Sequence, residues 1–254
     1  MKVSIITVCF NSADTIQYTL MSIASQTYSN IEHIIVDGGS TDGTLDIVCK
    51  LGGSITVLSS RDDGIYDAMN KGLNCATGDI VGFLNSDDFF ANQNVVADIV
   101  DAIRGAPEVS GCYGNVEFVS RRKSRRKVRK WTAGRYSDRK MRWGWMPPHP
   151  TFYLKRSVYE AVGQFSLEYK AQSDYDMALR ICYRSGVNLA YLDRTIVVMR
   201  MGGKSSESIT AVIRNNIEAV RIARRNGIRA GPLFFIIKII SRLPQFIHFR
   251  ASLF

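Results

Sequence analysis

The chain has 254 residues, 46% of them hydrophobic, so it is long and apolar enough to bury a core, which excludes a disordered protein. Its five cysteines are scattered without a C-x-x-C spacing, which argues against a disulfide framework or a zinc site and indicates a reducing compartment. The net charge of +10 is concentrated in segments 121–130 and 214–254, and an acidic body with two basic segments favours an anionic surface over a nucleic-acid groove as partner.

The N-terminal third of the chain alternates predicted strands with predicted helices. Apolar β-branched runs predict the strands, and apolar residues spaced three and four apart predict the helices. The predicted strands are 3–8, 31–36 and 55–58, and the predicted helices follow Ser12, Gly43 and Gly64. Asn11 or Ser12 is the predicted cap of the first helix. Successive strand–helix units predict a parallel sheet with right-handed crossovers, whose polar loops share one edge.

Three glycines follow the second strand, at positions 38, 39 and 43. Glycine permits the close backbone approach that a nucleotide-binding loop needs. The spacing matches neither the G-x-G-x-x-G of dinucleotide enzymes nor the G-x-x-x-x-G-K-[ST] of P-loop enzymes, so both classes lose support.

An apolar run at 80–84 stops abruptly on the polar sequence Asn-Ser-Asp-Asp at 85–88. The run predicts a strand buried on both faces of a parallel sheet, and ligands bind at the carboxyl edge of such sheets. Two adjacent acids beside an amide oxygen predict an all-oxygen site for Mg²⁺ or Mn²⁺ carrying a diphosphate. The alternative is that Ser86, Asp87 or Asp88 caps the helix that follows near Asn92.

The next segments predict a helix at 95–103, a strand at 111–119 and a further strand after the basic run 121–130. In the simplest structure these two strands form a hairpin that carries the basic run at its tip. The tip is either solvated or binds an anionic lipid or substrate.

Residues 141–154 are rich in aromatic residues and proline. Aromatic faces stack on sugar rings, which makes Trp145 a candidate acceptor contact. His149 is a candidate metal ligand, general acid or base, or acceptor contact, and a structural histidine is the alternative.

A short helix is predicted from Ser157 to Gly163, and another opens at Lys170. The second helix carries Asp174 and Asp176 in its first turn. There either acid favours the helix dipole or points into the cleft as a general base.

The most apolar run of the chain is 233–240, near the C-terminus. Lys238 and Arg242 lie within its reach, so it falls short of the roughly 20 apolar residues that span a bilayer. A polar stripe opposite an apolar face predicts an interfacial helix that attaches peripherally to the membrane. The alternative is a helix packed on the body or on a dimer partner.

Five segments taken together resemble the family 2 glycosyltransferases of the GT-A fold. The segments are 3–11, 37–44, 64–72, 85–88 and 173–176, and the resemblance extends to about residue 200. It implies an α/β fold with a mainly parallel nucleotide-sugar-binding sheet flanked by helices, an acceptor-side segment and a helical tail. It also implies a nucleotide-sugar donor, a divalent metal (Mn²⁺ or Mg²⁺) and inversion at the anomeric carbon by direct displacement.

The resemblance further implies roles for individual residues. Asp88 resembles the metal-binding acid, and Asp87 resembles the acid that touches the donor ribose and shares the metal. Asp37 resembles a donor-site acid, and Asp174 the aspartate that deprotonates the acceptor hydroxyl. We also expect Asp62, Asn70 and Asn85 at the donor, and Trp145 and His149 at the acceptor or the metal.

Four positions depart from the common pattern of the family. Gly38 stands where many members carry an aspartate implicated in reading uracil, which leaves the donor base open. Asn85 replaces a further acid, Met69 an arginine near the diphosphate, and Ser173 a glutamate. The reactive acids themselves are retained.

These features predict a metal-dependent inverting glycosyltransferase that acts on a hydroxyl of a glycan or a lipid-linked oligosaccharide. We expect a catalytic domain at 1–204, with a donor half (1–104) and an acceptor half (105–204), and C-terminal helices at 205–254. The alternatives are a nucleotidyltransferase, or a non-catalytic membrane-binding or RNA-binding module. The short apolar start argues against a signal peptide, so we expect a cytoplasmic protein, peripheral on the inner membrane face, without a nucleic-acid partner.

Overall fold

The structure, a computed structural model, describes residues 1–51, 55–120, 126–201, 209–231 and 234. In these ranges the chain forms one sheet with helices packed against it. The strands are β1 (Val3–Cys9), β2 (Ile31–Asp37), β3 (Ile55–Ser59), β4 (Ile80–Phe83), β5 (Phe89–Phe90), β6 (Gly111–Val119), β7 (Lys127–Trp131), β8 (Tyr153–Lys155) and β9 (Leu189–Arg200). The helices are α1 (Ile16–Ala24), α2 (Thr44–Leu51), α3 (Ile65–Cys75), α4 (Val95–Arg104), α5 (Asp138–Met141), α6 (Arg156–Val162), α7 (Ser173–Ala178) and α8 (Ile209–Arg225). A short 3-10 helix (His149–Thr151) precedes β8, and a π-helical segment (Leu179–Arg184) continues α7.

The strand order is β3-β2-β1-β4-β8-β6-β9-β5, with β7 paired to β6. β1 lies parallel to β2 and β4, and β2 lies parallel to β3, which confirms the arrangement predicted from the strand–helix units. β8 runs antiparallel between β4 and β6, whereas β6 is parallel to β9. The predicted α/β fold is therefore confirmed. Its second half is mixed rather than mainly parallel, and one sheet runs through both halves.

The centre of the core is β1, whose seven residues are all buried. Successive side chains of a strand point to opposite faces of the sheet. Ile6 and Val8 join a large apolar cluster on one face, and Val3 and Ile5 join a second cluster on the other. Since β1 is packed on both sides, the loop that follows it is held beside the ends of β2 and β4.

Helix α3 lies unusually close to the sheet because it carries Gly72. A Cβ added at Gly72 would lie 2.4 Å from Cγ2 of Ile6 on β1. The close contact fixes the height of α3 over the sheet, and with it the position of Tyr66 in the first turn of the helix.

Two predicted helix caps are wrong. Helix α1 begins at Ile16, with Thr15 in the cap position, so neither Asn11 nor Ser12 caps it. Helix α4 begins at Val95 and is separated from the acids at 85–88 by β5. Asn94 takes the cap position of α4, so the acids do not cap this helix.

Helix α7 begins at Ser173 rather than at the predicted Lys170. The amides of Lys170 and Ala171 donate instead to the carboxylate of Glu218 on α8, at 3.1 and 3.2 Å. A residue on a distant helix thus takes up the amides that would otherwise start the helix at Lys170, and a local sequence pattern does not reveal such a partner.

The predicted hairpin is present, with Val116 of β6 opposite Trp131 of β7. Of its basic residues in the described ranges, Lys127, Arg129 and Lys130 lie within β7, and Arg126 directly precedes the strand. Lys127 Nζ lies 2.8 Å from Glu117, and the guanidinium of Arg129 lies 4.4 Å from the centroid of the Phe118 ring. The remainder of the basic run, 121–125, lies outside the described residues.

Helix α8 packs on the body through Ala219, Ile222 and Ala223, which are fully buried. Among the described residues, no helix combines the length and the apolar character needed to cross a bilayer. The apolar run predicted to form an interfacial helix lies outside the described residues, apart from the buried Phe234.

Candidate active site

The acid turn at 85–88 follows β4 at the carboxyl edge of the sheet. The amide of Asp88 donates to the carbonyl of Asn85 at 3.0 Å and closes the turn. Thr19 of α1 is buried and donates to the carbonyl of Asp88 at 2.7 Å. The hydroxyls of Ser12 and Ser86 are hydrogen-bonded at 2.9 Å. Since the loop after β1 and helix α1 both hold the turn, its carboxylates are in a fixed place.

Asp88 is buried, with 1% of its surface exposed. Its Oδ2 accepts a hydrogen bond from Asn85 Nδ2 at 3.2 Å. Asp88 Oδ1 and Asn85 Oδ1 are buried without a hydrogen-bond partner among the described residues. Burial, and next the charge of Asp87, raises the pKa of the Asp88 carboxyl, against smaller opposing influences of Asn85 and Arg200. Unpaired buried acceptors are costly, so the turn suits a ligand that brings positive charge.

These oxygens fit a divalent cation. Carboxylate and amide oxygens are the ligands that Mg²⁺ and Mn²⁺ prefer, and Mg²⁺ is usually held by one or two carboxylates together with substrate phosphates. In the part of the chain that the structure describes, no three His, Cys, Asp or Glu side chains are grouped to hold a metal. Asp87 and Asp88, with Asn85 beside them, are the candidate ligands at this edge.

Asp37 ends β2, next to β1, and is buried. Burial alone raises the pKa of its carboxyl, but hydrogen bonds from Ser40, Ser59 and the amide of Gly39 outweigh burial and lower it. The Ser59 hydroxyl donates at 2.8 Å and the Gly39 amide at 3.1 Å. Asp37 is therefore a rigid, ionised group that fixes the glycine-rich loop after β2.

The missing side chain of Gly38 leaves room for Asp62. A Cβ added at Gly38 would lie 2.5 Å from Asp62 Oδ2 and 3.4 Å from the Phe10 ring. Asp62 Oδ1 accepts the amide of Gly64 at 3.0 Å, which aims the carboxylate from the loop after β3. The Asp62 carboxylate thus occupies the space that a side chain at position 38 would take.

We expect Gly38→Ala to lower the affinity for the donor nucleotide about tenfold, or about 1.4 kcal/mol. The added methyl displaces the Asp62 carboxylate, a flexible end that moves at little cost to stability. Calorimetry with UDP and with GDP measures the loss. Gly231→Ala is the matched control, because a Cβ at Gly231 meets nothing within 4 Å. Unchanged affinity in Gly38→Ala would remove Asp62 from the donor site.

Asn70 is not aimed at the carboxyl edge. Its Nδ2 donates to the carbonyl of Phe165 at 2.9 Å, and its Oδ1 accepts the amide of Phe165 at 2.9 Å. Both polar ends of the buried side chain are used, so Asn70 fastens α3 to the segment before α7. We therefore assign it a structural role and do not propose it as a donor contact.

Asp174 lies in the first turn of α7 and is partly exposed. Its Oδ1 accepts the amide of Tyr175 at 2.8 Å and the hydroxyl of Tyr66 at 3.3 Å. Sequence reasoning missed Tyr66, because its partner is 108 residues away along the chain. Tyr66 and Tyr175 thus hold the same oxygen of Asp174.

A row of rings connects Asp174 to the strand that carries the acid turn. Tyr66 stacks on Phe165 at 5.8 Å, Phe165 meets His149 edge-on at 5.7 Å, and His149 stacks on Phe83 of β4 at 5.5 Å. Burial lowers the pKa of His149, and the charge of Asp174 opposes this. His149 Nε2 is buried without a hydrogen-bond partner among the described residues. The ring row forms a common wall between Asp174 and the end of β4.

Trp145 is held within the protein. Its Nε1 donates to the carbonyl of Ala133 at 3.0 Å, and its ring packs edge-on against Tyr113 at 6.1 Å. The ring remains partly exposed. Contact with an acceptor sugar therefore remains a prediction for the exposed part of the ring.

Asp176, the other acid in the first turn of α7, is committed elsewhere. Its Oδ2 lies 2.8 Å from Arg180 Nε, and its Oδ1 accepts from Asn226 Nδ2 at 3.0 Å. Both oxygens join α7 to neighbouring structure. Of the two acids that the sequence left open as the base, Asp174 is the one that the geometry favours.

Comparison with known proteins decides the family. The model for "Glycosyl transferase family 2" matches residues 4–163, which contain β1 to β8 and the acid turn. The chain belongs to this family. It is a glycosyltransferase, as the sequence predicted.

Named relatives of this family 2 glycosyltransferase agree. The PGL/p-HBAD biosynthesis glycosyltransferase of Mycobacterium bovis is 30% identical over 249 residues, covering 96% of this chain and 91% of that protein. A UDP-Glc:alpha-D-GlcNAc-diphosphoundecaprenol beta-1,3-glucosyltransferase of Escherichia coli is 42% identical over 95 residues, 37% of this chain and 38% of that protein. The solved mannosyltransferase of Pyrobaculum calidifontis, in complex with GDP-Man and Mn²⁺, has a TM-score of 0.65 at 22% identity, covering 99% of this chain and 74% of that chain. This likeness confirms the GT-A fold.

Two departures of this glycosyltransferase from the family pattern have structural consequences. Met69, at the position of the common arginine, is 2% exposed and packs in the core. Ser173, at the position of the common glutamate, is fully buried. Helix α3 therefore brings no cation to the donor edge from position 69.

Proposed function

We propose that this glycosyltransferase is an inverting, metal-dependent enzyme that moves a sugar from a nucleotide-sugar donor to a hydroxyl of a glycan or lipid-linked acceptor. One observation carries the proposal. One row of aromatic rings connects the partly exposed Asp174 to the strand that precedes the buried Asp88, whose Oδ1 has no hydrogen-bond partner among the described residues. Asp88 suits the diphosphate end of the donor, and Asp174 suits the proton of an incoming hydroxyl.

At the donor end, Asp88 and Asp87 would hold the divalent metal, with Asn85 beside them. The metal, when bound, supplies positive charge that stabilises the departing nucleoside diphosphate. Asp37 holds the glycine-rich loop in shape, and Asp62 offers a carboxylate to the nucleoside in place of a side chain at position 38. The Mn²⁺ and GDP-Man named for the mannosyltransferase support this class of ligand.

At the acceptor end, Asp174 takes the proton of the attacking hydroxyl. A base on the side opposite to the leaving group is what direct displacement with inversion requires. The hydroxyl of Tyr66 and the amide of Tyr175 fix the carboxylate, so Asp174 presents one orientation to the acceptor hydroxyl. Trp145 and His149 are proposed acceptor contacts.

The acceptor class follows from a named relative and from charge. The E. coli relative is named for a diphosphoundecaprenol substrate, and a lipid-linked acceptor lies at a membrane. On α8, Ile213 is 49% exposed and Ile217 is 58% exposed, beside the exposed Arg214 and Arg221. Apolar residues among cations suit an anionic lipid surface, so we propose peripheral attachment through α8 and the tail that follows.

We expect Ile217→Asp to reduce binding to anionic vesicles, because it puts a negative charge in the apolar face of α8. Co-sedimentation with phosphatidylglycerol vesicles at low salt measures it. Met21→Asp is the matched control, since Met21 of α1 is also 58% exposed but lies outside that face. If wild-type protein stays in the supernatant, the membrane assignment is wrong and α8 belongs to a protein interface.

The proposed function is tested by sugar transfer. Purified protein is incubated with UDP- and GDP-sugars, with Mn²⁺ or with EDTA, and with polyprenyl-diphosphate-linked saccharides. Metal-dependent transfer with inverted anomeric configuration supports the proposal. Transfer of a nucleotidyl group would indicate a nucleotidyltransferase, and binding of RNA or lipid without any group transfer would indicate a non-catalytic module.

A further inference from the structure

Arg200 ends β9, and its side chain is buried beside the acid turn, with 9% of its surface exposed. Its guanidinium carbon lies 4.4 Å from the centroid of the Tyr18 ring and 5.4 Å from that of Phe89. Phe89 directly follows Asp88, and Tyr18 directly precedes Thr19, which binds the Asp88 carbonyl. Two aromatic faces therefore hold a cation against the acid turn.

Two of the three guanidinium nitrogens of Arg200 make no hydrogen bond within the described residues. Arg200 Nε and Nη2 are buried and have no hydrogen-bond partner in the described ranges. Arginine does not deprotonate in proteins, so burial cannot be relieved by loss of the charge. The two ring faces attract the charge of the guanidinium. They do not accept hydrogen bonds from Nε–H and Nη2–H, because these bonds point outward in the plane of the guanidinium. Buried donors without partners call for an explanation, and an absent ligand is one.

The identity of the two unpaired nitrogens limits the chemical classes of ligand that Arg200 can bind. Nε and Nη2 form one edge of the guanidinium, with two parallel N–H bonds. This edge matches two oxygens of a phosphate or a carboxylate. Acids close to Arg200 do not fill it, although the arginine is near enough to lower the pKa of Asp88 against the effect of burial.

The acid turn and Arg200 therefore carry complementary unfilled groups. A free cation pairs with Asp88 Oδ1 and leaves Arg200 unpaired, and a free anion does the reverse. A diphosphate that carries a divalent metal satisfies both. Met69 is buried in the core, so helix α3 brings no cation to the acid turn from that position.

We propose that Arg200 binds the diphosphate of the nucleotide-sugar donor through its Nε–Nη2 edge, opposite the metal side formed by Asp88. The inference rests on the proposed function, which places the donor at the acid turn. Arg200 holds the diphosphate in one orientation and stabilises the negative charge that grows on it as the sugar leaves. It recognises phosphates and makes no contact with the base.

The experiment compares Arg200→Gln, Arg200→Lys and wild type by calorimetry. Mn²⁺ with inorganic pyrophosphate is the main probe, and UDP, GDP and Mn²⁺ alone are the others. Arg129→Gln is the matched control, because it removes the same charge and an equal 4.4 Å contact with an aromatic ring far along β7.

We expect Arg200→Gln to weaken Mn²⁺-pyrophosphate binding about tenfold or more, as for a lost charge-assisted pair, and to weaken UDP and GDP binding by the same factor. The affinity of Arg200→Lys for Mn²⁺-pyrophosphate should fall about threefold, since lysine keeps the charge but cannot make two parallel N–H hydrogen bonds. Arg129→Gln should bind as wild type does. Mn²⁺ alone should bind to Arg200→Gln no more weakly than to wild type.

Three results overturn the inference. The first is that folded Arg200→Gln binds pyrophosphate with the affinity of wild type. The second is that Arg200→Gln loses as much affinity for Mn²⁺ alone as for Mn²⁺-pyrophosphate, which would mean that Arg200 acts through Asp88. If Arg200→Gln shows no melting transition, unchanged affinity in Arg200→Lys is the third. The proposed function fails separately: wild type that binds pyrophosphate through Arg200 but transfers no sugar supports the inference alone, and wild type that binds no phosphate ligand ends both.

Discussion

Asp88→Asn is expected to abolish sugar transfer and the dependence of nucleotide binding on Mn²⁺, while the protein remains folded. The substitution keeps the shape of the side chain and its contact with Asn85, but removes the charge that a hard cation needs. Transfer should fall below detection. Calorimetry should give the same weak nucleotide affinity with Mn²⁺ and with EDTA.

The same variant should be at least as stable as wild type without ligand. Burial raises the pKa of Asp88 above its ordinary value of 3.8, so the folded state resists ionisation of this group. Because the folded-state pKa is raised, wild type loses stability as the pH rises from 3.8, the ordinary pKa, towards the raised pKa, and asparagine has no such loss. The melting temperature of Asp88→Asn should therefore exceed that of wild type by more at pH 7 than at pH 4.

Asp101→Asn on α4 is the control for Asp88→Asn. Asp101 is exposed, and its substitution removes the same charge. Its transfer rate and its Mn²⁺ dependence should equal those of wild type. If Asp88→Asn retains Mn²⁺-dependent nucleotide binding, the metal is held elsewhere and the assignment of the acid turn is wrong.

Sequence reasoning located the acid turn because every signal for it is local. The apolar run of β4 and the abrupt change to polar residues lie within a few positions of Asp88. Period and composition are enough to predict a strand and its end. The same holds for β1 and β2, whose β-branched residues are buried on both faces.

The partners of site residues were not predictable, because they depend on contacts between distant segments. Asn70 looked like a polar position on an exposed helix face, yet Phe165 uses both ends of its amide. The sequence analysis assigned no role to Tyr66, yet its hydroxyl donates to Asp174. A helix pattern gives the direction of a side chain but not what the rest of the fold brings there.

The position of Arg200 was also not predictable from the sequence. In sequence it is one basic residue at the end of a strand, and nothing beside it suggests burial. The sheet order places β9 next to β5, with Phe89 opposite Val198, and this pairing carries Arg200 to the acid turn. A missing arginine at position 69 and a buried arginine at 200 become related only when the strand order is known.

Asp174→Asn is expected to reduce the rate of sugar transfer by about 10²–10⁴, the range for loss of a general base. Donor affinity should remain that of wild type, because Asp174 lies across the aromatic row from the acid turn. The amide keeps an oxygen for Tyr66 and Tyr175, so the helix start is preserved. Single-turnover transfer measures the chemical step, and calorimetry with the nucleotide measures donor binding.

Asp176→Asn is the matched control for Asp174→Asn, two residues along the same helix. Asp176 pairs with Arg180 and Asn226, so its loss should lower stability by about 1–3 kcal/mol, as for a weakened buried hydrogen bond to a charged group. Transfer by the protein that remains folded should be near normal. The two variants thus distinguish a general base, whose loss lowers the transfer rate, from a structural acid, whose loss lowers stability. Near-normal transfer by Asp174→Asn, or a larger rate loss in Asp176→Asn at equal folded fraction, would move the base away from Asp174.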